Sequence, residues 1–107
     1  MKLLMTSGEL SKADVYKLAH SNASSNVSEV ADEDISINIW ALYEEDDKRV
    51  LSIMDTSGTV YGTISETFIK AFINMVEFFD PEPVNVIHVV PGVSKNGREF
   101  ITCDYVA

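Results

Sequence analysis

The chain changes its hydrophobic period twice, and that change limits what it can fold into more than any other feature. In "DISINIWALY", residues 34–43, apolar side chains alternate. Ile35, Ile37, Ile39, Ala41 and Tyr43 fall on one face, with Ser36, Asn38, Trp40 and Leu42 on the other. A two-residue period is that of a half-buried strand. "VLSIM" (50–54) and "TVYGTI" (59–64) read as two further strands. The intervening "EEDDKR" predicts a hairpin centred on Asp46-Asp47, with Glu45 opposite Lys48 and Glu44 opposite Arg49, a pairing of opposite charges that helps fix register. "SETFIKAFINMVEFF" (65–79) then repeats at helical spacing, with Phe68, Phe72, Met75, Val76 and Phe79 on one face and Ser65 placed to cap the first turn. "DPEP" (80–83) stops the helix, because proline offers no amide donor and restricts its predecessor. Period two returns in "VNVIHVV" (84–90) and "EFITCDYV" (99–106), on either side of Asn96-Gly97. That pair suits a two-residue turn with positive φ at both positions, and its register sets His88 opposite Tyr105, near Cys103.

Three strands, one helix and two strands give the order β-β-β-α-β-β. The expected fold class is mainly β with one central helix, an OB-like, partly open barrel over residues 34–106. In it the helix plugs one end with its apolar face, and the helix phenylalanines are core. Residues 1–31 are expected to form an N-terminal extension. Within it "SKADVYKLAH" (11–20) carries Ser11 and Asp14 at capping-box spacing and predicts a short helix. "SNASSNVSEVADED" (21–34) reads as a polar, mobile connection. With 107 residues, the whole is one domain that can bury a core without staples.

Charge narrows the function classes. Seventeen acidic residues against eight basic ones leave a net charge of −9, which on average opposes binding to a polyanion. A ligand, however, feels the local field rather than the sum. Lys48 and Arg49 lie at one expected hairpin tip and Lys95 and Arg98 at another, so four of the eight cations occupy two loops. An OB-type barrel brings such loops to one binding face. Trp40, Tyr61 and Phe100 offer ring faces on which bases can stack. No apolar run approaches the length of a bilayer span, the N-terminus lacks a secretory pattern, and the one cysteine suits a reducing compartment. The expectation is a cytoplasmic protein that does not engage membranes.

The stretch "LSIMDTSGTVYGTISETF" (51–68) and the later "PGVSKNGREFIT" (91–102) resemble the small acidic single-stranded-DNA-binding proteins of protein-primed tailed phages of Gram-positive bacteria. The matching pieces are Ser57-Gly58 before Tyr61, "ISETF" at 64–68 and the second hairpin, so the resemblance covers roughly residues 50–105. It implies a non-catalytic protein of the host-cell cytoplasm that coats displaced single-stranded DNA cooperatively during replication, with self-association along the strand. It also implies that Tyr61, Lys95 and Arg98 face DNA. Trp40, Lys48, Arg49 and Phe100 join the expected nucleic-acid-binding set from alternation and charge alone.

Other readings are weaker. His20 and His88 lie in different elements without metal-ligand spacing. A Cys103–His88 pair would lack an oxyanion loop and an orienting carboxylate at a recognisable spacing. "EEDD" (44–47) has no EF-hand spacing. No catalytic residue, metal or cofactor is therefore expected. An acidic DNA mimic that occupies a host nuclease or another nucleic-acid-binding protein is the first alternative, which the basic tips oppose. A protein–protein adaptor that uses a sheet edge is the second.

Overall fold

The computed structural model describes residues 2–19 and 25–106. His20 and part of the expected connection at 21–34 lie outside the described residues. The elements are β1 (Lys2–Thr6), α1 (Lys12–Ala19), β2 (Ser25–Asn26), a 3-10 turn (Val27–Val30), β3 (Asp34–Glu45), β4 (Lys48–Asp55), β5 (Val60–Thr63), α2 (Glu66–Phe79), β6 (Val86–Val93) and β7 (Glu99–Tyr105). They build a mainly β structure: one curled, half-barrel sheet in the order β2-β5-β4-β3-β6-β7, a central helix and a short helix. Among the described residues no helix is long and apolar enough to cross a membrane.

The long strand β3 organises the sheet. Its first three residues pair antiparallel with β6, from Asp34↔His88 to Ser36↔Val86. From Ile37 to Glu45 it pairs with β4, in the expected register of Glu44↔Arg49 and Glu45↔Lys48. Asp46 and Asp47 both hold positive φ (52° and 63°), the backbone that a two-residue hairpin turn demands. On the other edge of β3, β1 pairs with residues 41–44, a strand that the short N-terminal apolar run did not announce.

A bulge decides which side of β3 is core. Ile37 pairs with Asp55 but Ile39 pairs with Met54, so β3 gains one residue between them. An extra residue inverts the alternation beyond it. Ile35 and Ile37 point into the main core, and after the bulge Trp40 and Leu42 do so. Ile39 and Ala41 turn to the opposite face, where Leu10 and the buried Leu18 of α1 cover them together with Met54 and Val60. The sequence expectation of one uninterrupted face from Ile35 to Tyr43 is therefore corrected.

The helix α2 fills the curl of the sheet. Phe68, Ile69 and Phe72 have no exposed area, and the Ser65 hydroxyl accepts the Phe68 amide at 3.3 Å as its cap. α1 begins with the expected reciprocal box: the Asp14 amide donates to the Ser11 hydroxyl at 3.1 Å, and the Ser11 amide to Asp14 Oδ2 at 3.3 Å. The segment expected to be a loose connection contributes Val27, with no exposed area, to the main core. Its two-residue strand β2 pairs parallel with β5. Among the described residues of the N-terminal third, β1, α1, β2 and Val27 thus pack on residues 34–106.

Candidate nucleic-acid interface

The seven residues expected to face nucleic acid separate into distinct environments. Trp40 is 4% exposed, and its ring meets Phe72 edge-on with centroids 5.1 Å apart. The bulge in β3 carried the indole inward, so Trp40 is a core residue and no stacking platform.

Tyr61 lies on β5 opposite Ile53 and packs partly buried against the main core. Burial and the nearby carboxylates of Asp55, Glu33 and Glu29 push its phenol above the usual tyrosine range. A phosphate approaching that ring would meet anions.

The two hairpins leave β3 from opposite ends. The β3–β4 turn extends from the C-terminal end of β3, whereas β6 pairs with its N-terminal end and continues five residues beyond His88 to Val93. Each hairpin makes one contact at the start of α2. The Arg49 guanidinium binds Glu66, with Nη2 2.9 Å from Oε1 and Nε 3.3 Å from both oxygens. On the other hairpin, the Ser65 hydroxyl lies 3.5 Å from the Ile101 carbonyl. The pairing holds the Glu66 carboxyl below its usual range, so Arg49 is a neutralised cation. Lys48 stays exposed at its tip, opposite Glu45.

The second hairpin keeps its charges. Ser94 and Arg98 close it, with the Ser94 amide 2.8 Å from the Arg98 carbonyl and the Gly97 amide 2.9 Å from the Ser94 carbonyl. Only Gly97 of the loop has positive φ (79°). The turn therefore has three residues, Lys95 to Gly97, ending in a left-handed glycine, instead of the two expected. The added residue shifts the register by one: Val93 pairs with Glu99, His88 with Asp104 and Val89 with Cys103. Lys95 and Arg98 are exposed, and neither forms an ion pair among the described residues.

Phe100 is 40% exposed and lies directly over Gly92 on the neighbouring strand. A β-carbon at Gly92 would come within 2.3 Å of the ring, so glycine is what lets the ring lie flat on the backbone. Beside it is an open cavity of about 750 Å³, lined by Pro91, Gly92, Val93, Glu99, Phe100 and Ile101 of this hairpin and by Ser28, Ala31 and Ser65. Lys95, Arg98 and Phe100 are the three expected residues that the structure brings together.

The register also separates His88 from Cys103. Cys103 is buried against the core, its thiol 3.9 Å from the Phe68 carbonyl, and burial pushes it up to about 12. His88 faces outward instead. Its Nδ1 is 2.6 Å from Asp34 and its Nε2 3.0 Å from Asp32, and these two carboxylates raise it above the ordinary histidine value. Sequence spacing gave no sign of this clasp, since Asp32 reaches the ring through a left-handed backbone (φ 66°). Among the described residues no cluster of three or more histidine, cysteine or carboxylate side chains is arranged to hold a metal ion.

Comparison with protein families, with curated proteins and with solved structures finds no significant match to this chain.

Proposed function

We infer that this protein is a non-catalytic single-stranded-DNA-binding protein and that the β6–β7 hairpin is its contact surface. The observation that carries this reading is the pair of unneutralised cations, Lys95 and Arg98, on the same hairpin as the outward ring of Phe100. Phosphates reward the first two, and any base can stack on the third. The resemblance over residues 91–102 supports the same hairpin.

The strand order β5-β4-β3-β6-β7, with α2 between the third and fourth of these in the chain, supports an OB-like, partly open barrel. Barrels of that type bind oligonucleotides on the face of their second and third strands and on the adjoining loops. Here the outward side of β4 and β5 is covered by α1 through Met54 and Val60. The DNA path in this protein therefore runs over the β6–β7 hairpin and the cavity beside Phe100. Acidic surface elsewhere limits binding to other polyanions and speeds release.

Titration of oligo-dT at several salt concentrations tests the reading. Each phosphate contact contributes about −0.7 to the slope of log K against log salt, so Lys95→Ala with Arg98→Ala flattens that slope by about 1.4. Lys48→Ala with Arg49→Ala leaves it nearly unchanged. An unaltered slope in the first double variant removes the hairpin from the interface.

A further inference from the structure

A second surface, at the far end of β7 from the cationic tip, has the opposite character. Phe78 is 82% exposed at the end of α2, although the helix phenylalanines were expected to be core. Its ring meets Phe79 edge-on at 5.0 Å, and Phe79 stacks on Tyr105 at 4.4 Å and 28°. Tyr105 is itself 49% exposed. Phe79 packs against the main core, so this three-ring platform is anchored before any partner arrives, and little ordering opposes docking.

The charged residues that neighbour the rings along the chain are of one sign. Residues 71–94 and 99–106 contain no lysine or arginine, whereas Glu77, Asp80 and Glu82 are exposed within a few residues of the rings. The last turn of α2 carries no basic residue, and the C-terminal end of the helix adds partial negative charge at the same place. A polyanion is repelled here. A cation is attracted three times over: by the carboxylates, by the helix end, and by the face of an exposed ring.

We propose that Phe78, Phe79 and Tyr105 form the docking site for a lysine- and arginine-rich segment of a partner protein that brings an apolar anchor. The platform lies at the opposite end of β7 from Lys95 and Arg98, so a cationic partner and a nucleic acid do not compete for the same residues. This assignment stands independently of the DNA reading.

The test uses the full chain and a short synthetic peptide of lysine and arginine with one tryptophan and two leucines, at about 0.15 M salt. The peptide binds the protein, and Phe78→Ala weakens it about fivefold or more through lost cation–π and apolar contact. An analogue with glutamine in place of the cations binds about tenfold more weakly. Tyr105→Ala weakens the peptide in the same direction, while oligo-dT affinity stays unchanged in both variants. The proposal is overturned if the peptide fails to bind or if Phe78→Ala binds it as well as the parent does. It is overturned equally if Phe78→Ala lowers oligo-dT affinity, which would make the platform part of the nucleic-acid surface. A shift from dimer to monomer in Phe78→Ala on sedimentation would assign the platform to a second copy of the chain.

Discussion

The two hairpins β3–β4 and β6–β7 carry the same ingredients and dispose of them in opposite ways. Each has an aromatic residue in its stem and two cations at or beside its turn. In the first, Trp40 faces the core and Arg49 is bound to Glu66. In the second, Phe100 lies outside on Gly92, and Lys95 and Arg98 have no acidic partner among the described residues. The difference arises from backbone events of a single residue. A bulge in β3 turned the indole inward, and an extra loop residue in the second hairpin set the register there. A cation or ring in a hairpin is available for binding only when the local register leaves it without a protein partner.

The largest effect that sharpens this contrast is on stability. Replacing a fully packed Trp40 by alanine removes the ring that meets Phe72 and costs about 3–5 kcal/mol. The equivalent Phe100→Ala removes a ring that is 40% exposed and costs roughly 1 kcal/mol or less, in keeping with surface changes. Urea unfolding of the two variants measures both. Equal losses would mean that the two aromatics do the same job, and the contrast would collapse.

A smaller effect tests the Gly92–Phe100 contact. Gly92→Ala places a β-carbon where the ring now lies, and the ring, being at the surface, swings away rather than forcing the strand apart. Stability changes by about 1 kcal/mol or less, because the strained neighbour can move. Oligo-dT affinity falls by part of the roughly 1–3 kcal/mol that a stacked base contributes. Unchanged affinity in Gly92→Ala would show that the flat orientation of Phe100 is irrelevant to binding.

Much of this frame was legible in the sequence, and the parts that were not share a cause. Alternation located β3, β4 and β5, the 3.6-residue period located α2, and Ser65 and the Ser11–Asp14 box announced both helix starts. The opposite-charge pairs set the β3–β4 register correctly, because strand pairing there is regular around the turn. Trp40 was misplaced because a bulge has no compositional signature in "SINIW", and its outcome is decided by pairing with Asp55 and Met54. The Asn96-Gly97 turn was misread because the same dipeptide fits a two-residue or a three-residue loop. Phe78 was expected in the core with the other helix phenylalanines, and its exposure beside Phe79 and Tyr105 depends on elements that are distant in the chain. The covering of β4 and β5 by α1 is a tertiary choice of the same kind.

The smallest expected effects concern pH, and here too the hairpins differ. Both are tied to the rest of the molecule by a charge pair: Arg49–Glu66 for the first, and His88 with Asp32 and Asp34 for the second. Glu66 is lowered from 4.5, so its contribution is present above the unfolded carboxylate value and is lost as pH falls through the lower, folded one. An exposed pair of this kind contributes about 0.2–1 kcal/mol at most. His88 is raised from 6.5, which reverses the sign. Its contribution is complete below the unfolded value of 6.5 and is lost as pH rises through the higher, folded one. Both ring nitrogens face carboxylate oxygens, an arrangement that favours the doubly protonated ring. Raising the pH from 6 towards 9 should therefore loosen the β3–β6 junction and lower amide protection in β6, measured relative to the intrinsic exchange rate at each pH, with no change in protection at the β3–β4 turn. His88→Gln should abolish that pH dependence. An imidazole that titrates at or below the ordinary value in the folded protein would mean that the clasp does not hold a charged ring, and that the second hairpin is tied down by strand pairing alone.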